Sequence, residues 1–249
     1  MKRLANISRR LRLIVPIVLI FFASIASVSS ADLLSQGLAA QKAGKNKEAV
    51  ELLGKYLKDH PQAVAAIRVR ALALAALDRK TEALKEVNRG LAAHPRDLGL
   101  LMAQGNILAG MERRGEAVAA FGKVLAQDPK NVEALKERGD NLAQEGKFEE
   151  ALKDYNRAAA LAPKDPWLFQ KRGMTKFCMG KYPEAVADFT TAIKLAPESP
   201  LFYFFRGQIY LMHLNQKDKA VADFQKGCQM GHSLCCRELD KLGIAPIKK

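Results

Sequence analysis

Aromatic side chains are scarce in this chain: they fill 7% of its 249 positions, and Trp occurs once. With Ala, Leu, Lys and Glu dominating instead, that scarcity disfavours a β-sandwich or barrel and points to an all-helical protein. Low-complexity tracts are absent and 49% of the residues are hydrophobic, so disorder is excluded as the main state. No Ser, His and Asp arrangement, phosphate-cradling Gly loop or metalloprotease motif occurs, so no catalytic residues are expected. All four cysteines fall late, at Cys178, Cys228, Cys235 and Cys236.

Acidic residues are missing before Asp32. The first 31 residues carry five of the 40 Lys and Arg, and without them the formal charge falls from +14 to +9, 35 basic against 26 acidic side chains. Lys2, Arg3, Arg9, Arg10 and Arg12 form a positive stretch, Leu13 to Ala23 is apolar apart from Pro16, and small residues follow through Ala26, Ser27, Ser29, Ser30 and Ala31. These are the three parts of a secretory signal peptide, residues 1–31, cut after Ala31 or, alternatively, after Ala26. The apolar run falls short of the about 20 residues that spanning a bilayer needs. An uncleaved anchor, tethering the chain to a membrane through residues 13–26, is the alternative. Arg12 departs from a twin-arginine export signal, and no Cys follows the run to accept a lipid.

The remainder is governed by a period of 34 residues. Pro61, Pro95, Pro129, Pro163 and Pro197 stand 34 apart. The same interval separates Glu48-Ala49, Glu82-Ala83, Glu116-Ala117, Glu150-Ala151 and Glu184-Ala185, and separates Gly37, Ala71, Gly105, Gly139, Gly173 and Gly207. Each unit reads as two helices joined by a turn such as Ala43-Gly44-Lys45-Asn46, with small residues at the closest approach. Proline stops the second helix, because it disfavours the helical conformation of its predecessor and lacks an amide proton. A sixth unit carries one inserted residue between Asn215 and Asp218, and an amphipathic helix over Ser233 to Leu242 is expected to cover the apolar end of the array.

Gly139, Leu142, Gly146, Ala151, Tyr155, Ala158 and Pro163 make up the most complete unit, and on these columns the chain resembles the tetratricopeptide repeat family over about residues 30 to 234. The resemblance implies a right-handed α-solenoid of six helix pairs, residues 32–232, followed by a capping helix and tail, residues 233–249. It implies further that the first helices line a concave groove. Fold energy in such an array is a nearest-neighbour sum, because no pair hides its own apolar faces.

Comparing the units exposes a pairing. Where Arg precedes the small residue, an acid stands sixteen positions on: Arg70 with Glu86, Arg138 with Asp154, Arg172 with Asp188, and Arg206 with Asp223 across the insertion. Where Gln36 or Gln104 precedes it, the slot holds Leu52 or Ala120. A bidentate ion pair between the two helices of one repeat is expected; a ladder for phosphates or an acidic peptide is the alternative. The charges are otherwise interspersed and residues 132 to 165 are net −2, so nucleic acid is not expected as a partner.

On the groove side of the first helices, spacing of three to four brings up Trp167, Gln170, Met174 and Phe177, then Leu201, Phe204, Gln208 and Leu211. Earlier units offer Glu133, Lys136 and Asp140, then Met102 and Asn106, then Arg68. A groove apolar toward its C-terminal half and polar toward its N-terminal half suits a protein or peptide partner with an apolar anchor and a charged flank. The competing reading makes these aromatics core residues. Asp140 stands where the Lys and Asn clamp of some family members requires Asn, so that clamp is not expected.

Residues 227 to 236 resemble the cysteine-rich bacterial relatives of this repeat, in which two Cys eight apart tie adjacent helices. That resemblance implies Cys228 with Cys236, and Cys228 with Cys235 is the second choice. In one continuous helix residues eight apart lie about 12 Å from each other, beyond disulfide reach. Gly231 can end one helix and Ser233 can start the next. His232 among thiols raises a metal or haem alternative, but its spacing fits neither a zinc site nor a haem attachment motif, and no cofactor is expected. The sequence thus points to a non-catalytic adaptor or scaffold, exported to the bacterial periplasm, or anchored at the inner membrane facing it, or secreted.

Overall fold

The structure is a computed structural model that describes residues 30–245; the leader expected over residues 1–31 lies outside them but for Ser30 and Ala31. Thirteen helices and no strand occur among the described residues. They form six antiparallel pairs: α1 (Ser30–Lys42) with α2 (Asn46–Asp59), α3 (Val64–Ala76) with α4 (Lys80–Ala93), α5 (Leu98–Gly110) with α6 (Arg114–Gln127), α7 (Val132–Gln144) with α8 (Phe148–Leu161), α9 (Pro166–Cys178) with α10 (Tyr182–Leu195), and α11 (Pro200–Met212) with α12 (Lys217–Gln229). A last helix, α13 (Ser233–Lys241), packs on α12. No described helix is long and apolar enough to cross a membrane.

The small-residue column is sized to a partner sixteen positions on, or seventeen across the insertion in the sixth unit. A Cβ placed on Gly37 would stand 2.6 Å from Leu53, on Gly105 2.5 Å from Phe121, on Gly139 2.8 Å from Tyr155, and on Gly207 2.7 Å from Phe224. Those four partners are fully or almost fully buried. Where the partner slot holds the smaller Val87, the column admits Ala71, also fully buried. Each large side chain is thus worth about 1.5–3 kcal/mol of burial that only a small neighbour makes available.

Local chemistry sets the helix ends. Asp97, Asn131 and Asp165 cap α5, α7 and α9 by accepting from the backbone amides of Leu100, Ala134 and Trp167 at 2.8, 3.0 and 3.0 Å. Pro166 and Pro200 stand in the first turns of α9 and α11, where the missing amide proton costs nothing. The Glu of the Glu-Ala column lies in the first turn of the first five second helices, and Glu82 and Glu116 are gripped by Arg79 and Arg113 at 2.6–2.8 Å. Between the helices of a pair the chain must turn through the left-handed region, at Gly44, Asp78, Glu112, Gly146 and Gly180 with φ of 60 to 77°. The insertion in the sixth unit moves that position to Asn215, φ 51°.

First helices of successive repeats touch each other directly, α3 with α5 and α7 with α9 among them, which puts the first-helix side on the inside of the curve. In the cap, Cys235 and Leu239 bury fully against α12 with Ala220 and Phe224.

Candidate partner-binding groove

Four arginines tie together the two helices of their own repeats before any surface is presented. Arg138 donates from Nε and Nη2 to Asp154 at 2.7 Å each, and Arg206 from the same atoms to Asp223 at 2.9 and 2.7 Å. Arg172 reaches both oxygens of Asp188 through Nε at 3.0 and 3.1 Å, and Lys176 adds a contact at 2.7 Å. Arg70 departs from the bidentate pattern: Nη1 donates to Glu86 at 2.6 Å while Nε turns back to the Val50 carbonyl at 3.0 Å. The longer Glu side chain reaches only one nitrogen, and its Oε1 is left buried without a hydrogen bond. The bond to Asp154 holds Arg138 charged beyond its already high pKa, against the cost of its burial.

A second arm of the same arginines was not visible as a column. Arg172 Nη1 also donates to Asn156 at 3.0 Å and Arg206 Nη1 to Thr190 at 2.9 Å, both sixteen residues back on the second helix of the preceding repeat. Gln104 makes the equivalent bond to Asn88 at 2.8 Å. One side chain therefore bridges the second helices of neighbouring repeats, and these arginines are engaged in the scaffold.

The groove splits into three parts. Toward the C-terminus, α9 and α11 enclose an apolar cavity of about 330 Å³ lined by Met174 and Phe177 on one side and Phe204, Phe205, Gln208, Ile209 and Met212 on the other, with His213 at its end. Four of the residues singled out from the sequence, Met174, Phe177, Phe204 and Gln208, thus meet in one cavity. Met212, absent from that set, is 68% exposed at the rim. His213, without a companion in the sequence, stacks on Tyr182 at 4.1 Å and stands edge-on to Phe177 at 5.2 Å. Leu211 turns from the cavity and packs toward the cap.

In the middle, between α7 and α9, the polar residues are occupied with one another. Asp140 accepts from the Tyr155 hydroxyl at 2.5 Å and from the Lys171 ammonium, and Gln170 shares the small cleft above them. Burial, reinforced by the Asp140 charge, pushes the Tyr155 hydroxyl well up, so it remains a neutral donor. Burial beside Asp140 also raises the Glu137 carboxyl. Lys136 lies 3.5 Å from Asp165 and 3.9 Å from Glu133, joining two repeats. Toward the N-terminus, Arg68 and Asn106 line a shallow cavity with Met102, the Arg68 stem lying over Gly99.

Trp167 and Leu201 take a different place. They stand in the first turns of α9 and α11, at the loop edge, where Trp167 is 47% exposed and meets Phe202 edge-on at 5.1 Å. They do not line the apolar cavity.

At the cap, Cys228 and Cys236 are joined across the Gly231 turn, with Sγ atoms 1.97 Å and Cα atoms 4.8 Å apart. Cys235 is fully buried, its Sγ 3.3 Å from His232 Nδ1, and burial pushes its thiol up to about 12. Cys178 is exposed. No group of three or more His, Cys, Asp or Glu able to hold a metal occurs among the described residues.

Known proteins resemble this arrangement. Family models described as tetratricopeptide repeat match residues 34–97 and 102–166, residues 141–209 and residues 201–230. No curated protein matches the chain. Among solved structures, a tetratricopeptide repeat protein from Parabacteroides merdae ATCC 43184 is 25% identical with a TM-score of 0.63, covering 90% of this chain and 87% of its own. YrrB, described as a TPR protein with an unusual peptide-binding site, is 20% identical with a TM-score of 0.64, covering 78% and 100%. MamA from Desulfovibrio magneticus RS-1 is 20% identical with a TM-score of 0.64, covering 68% and 96%. At these identities YrrB and MamA speak to the fold alone. With the family models spanning most of the chain and the helix pairs repeating in their register, the chain belongs to the tetratricopeptide repeat family.

Proposed function

We propose that this protein is a non-catalytic scaffold of the bacterial cell envelope that holds a partner peptide or helix in its concave groove by an apolar anchor. The cavity between α9 and α11 carries the reading: Met174, Phe177, Phe204 and Met212 leave apolar surface open on the inner wall of a rigid array. Exposed aromatic and Met side chains together commonly form contact surfaces. The peptide-binding site named for YrrB supports a peptide as the kind of partner. The occupied Asp140 and Lys136 do not supply a charge clamp, whereas Arg68 and Asn106, farther along the groove, are open to a polar flank.

Selecting peptides from a random display library on the folded chain tests this. Selected peptides are expected to share one or two large apolar residues at helical or alternating spacing. Their affinity should fall at least about tenfold on Met212→Lys, since placing an ammonium in the apolar rim costs more than about 1.4 kcal/mol. Met212 is too exposed for that change to threaten the fold. Peptides that bind Met212→Lys and Phe204→Ala as well as they bind the unaltered chain would defeat the proposal.

Envelope location rests on the positive, apolar and small-residue order of residues 1–31. N-terminal sequencing of the protein recovered from cells distinguishes its forms. A start at Ser27 or Asp32 indicates a released protein, and an intact Met1 indicates a tether through residues 13–26. Recovery from the cytosol with Met1 intact would remove the envelope from the proposal.

A further inference from the structure

Five large apolar side chains stand out as exposed among the described residues: Leu161, Trp167, Leu195, Met212 and Leu234. Met212 belongs to the groove. The other four share one edge, the side where second helices end and the next first helices begin, at the α8–α9, α10–α11 and α12–α13 junctions. Two columns of the 34-residue frame show that this edge changes character along the array. The column of Leu161 and Leu195 reads Asp59, Ala93 and Gln127 in the earlier repeats, and that of Trp167 and Leu201 reads Ala65, Gly99 and Glu133. Small and polar residues thus give way to Leu and Trp only in the last three repeats. Packing does not demand the change, since the earlier residues close the same turns.

The edge is also cationic. Arg157, Lys164, Lys194 and Arg237 lie exposed within four residues of the apolar four and Lys226 in the last turn of α12; none forms an ion pair among the described residues, although Arg157 donates to the Pro129 carbonyl at 2.8 Å. Against them stand Asp165, engaged with the Trp167 amide and Lys136, Glu198, and Glu238, engaged with Lys241. An indole and leucines ringed by unpaired Lys and Arg match the headgroup zone of an anionic bilayer, where Trp prefers to sit and each cation near the surface adds about 1 kcal/mol.

We propose that the loop edge of the last three repeats rests on an anionic lipid surface, Trp167 entering the headgroup zone while the groove faces away from its plane. Docking of this kind is reversible and electrostatically assisted, and it is separate from any tether through residues 13–26.

Because Trp167 is the only Trp in the chain, its fluorescence reports on the edge alone. Vesicles of phosphatidylglycerol should shift its emission to the blue, and brominated lipid should quench it, while phosphatidylcholine vesicles should do neither. Partitioning should fall at least about tenfold between about 0.1 and 1 M salt, as the Debye length shrinks from about 10 to about 3 Å. Leu161→Ser with Leu195→Ser, both exposed, should abolish the blue shift without changing the circular dichroism spectrum. Two results overturn the proposal. One is co-flotation of the full chain with vesicles while Trp167 emission stays unchanged, which assigns membrane binding to another segment. The other is a blue shift that grows with protein concentration in the absence of lipid, which assigns the edge to self-association.

Discussion

Replacing Asp188 by Asn leaves the shape of the site intact and removes the charge on which Arg172 and Lys176 converge. Asp188 is 3% exposed and faces Arg172 Nε and Nη2 together with Lys176 Nζ. Breaking a buried ion pair from one side costs about 3–5 kcal/mol, because the surviving charge is left uncompensated. The Arg172 and Lys176 side chains are 19% and 20% exposed, so water recovers part of that, and about 2–3 kcal/mol of destabilisation is expected. For a chain of this size each kcal/mol moves Tm by about 2–4 °C. Repeats can open separately, so hydrogen exchange across α9 to α12 should accompany the melting curve. Glu82→Gln, which breaks an exposed pair, serves as the control and should leave Tm almost unchanged. The protein also contains its own rescue: repeat 3 fills the two positions with Gln104 and Ala120, and Gln104 bonds to Asn88. Asn156 occupies the corresponding slot behind Arg172. Arg172→Gln combined with Asp188→Ala should therefore lose less stability than Asp188→Ala alone. Equal losses for Asp188→Asn and Glu82→Gln, or a double substitution as harmful as the single one, would refute the inference that these arginines are structural.

Other consequences can be read from single positions. Glu112 adopts φ 60° with no glycine to relieve it, so Glu112→Gly should stabilise the array by about 1 kcal/mol in urea unfolding, whereas Gly146→Ala should destabilise it by a similar amount. Gly105→Ala, which drives a methyl to 2.5 Å from buried Phe121, should cost about 1–3 kcal/mol and be partly rescued by Phe121→Leu. Thiol titration of the denatured, unreduced protein should find two free thiols, with only Cys178 reacting in the folded state at pH 8. Cys235 stays protonated in the fold to about pH 12 but titrates near 9 once exposed, so the stability it contributes is complete below pH 9 and declines as pH rises from 9 toward 12. Melting curves across that range should show the decline, to which buried Tyr155 adds above about pH 10, and Cys235→Ala should lessen it, most clearly between pH 9 and 10.

The repeat frame was open to inspection in the sequence because the forces that set it act at fixed separations. A Gly and a bulky partner sixteen residues apart, a Pro at each junction and an Arg with its acid recur because hairpin geometry recurs. The backward arm of the arginines leaves no pattern in the sequence because its partners share no chemistry: Gly54, Asn88, Gly122, Asn156 and Thr190 fill one column. Gly54 and Gly122 supply no acceptor side chain, and Arg70 turns to the Val50 carbonyl instead. The groove is only partly legible for a related reason. Spacing on a helix gives direction but not depth, so Met174, Phe177, Phe204 and Gln208 were placed together while Trp167 and Leu201, one or two turns nearer the helix start, came out at the loop edge. Asp140 looked like an open groove carboxylate because its partners, Tyr155 on α8 and Lys171 on α9, approach from other helices.

Columns of this array differ in how much freedom packing leaves them, and the difference separates scaffold from function. Inside each hairpin the small residue and its partner vary only together, as Ala71 with Val87 against Gly105 with Phe121, because a mismatch means collision or void. The arginine column varies only with its acid, since a charge left alone in a partly buried seam is costly. Columns on the inner wall and the loop edge obey neither constraint, and there neighbouring repeats diverge freely: Glu133 gives way to Trp167, Asp140 to Met174, and Gln127 to Leu161. A side chain that departs from its column without a compensating change elsewhere is not held by the fold. The departures concentrate in the last three repeats, where apolar groups accumulate on two separate faces, one a cavity of about 330 Å³ fit for a side chain and the other a cationic rim fit for a surface. If both faces serve the same partner, substitutions at Met212 and Leu195 should weaken one binding event together; if they serve different ones, each should leave the other's binding untouched.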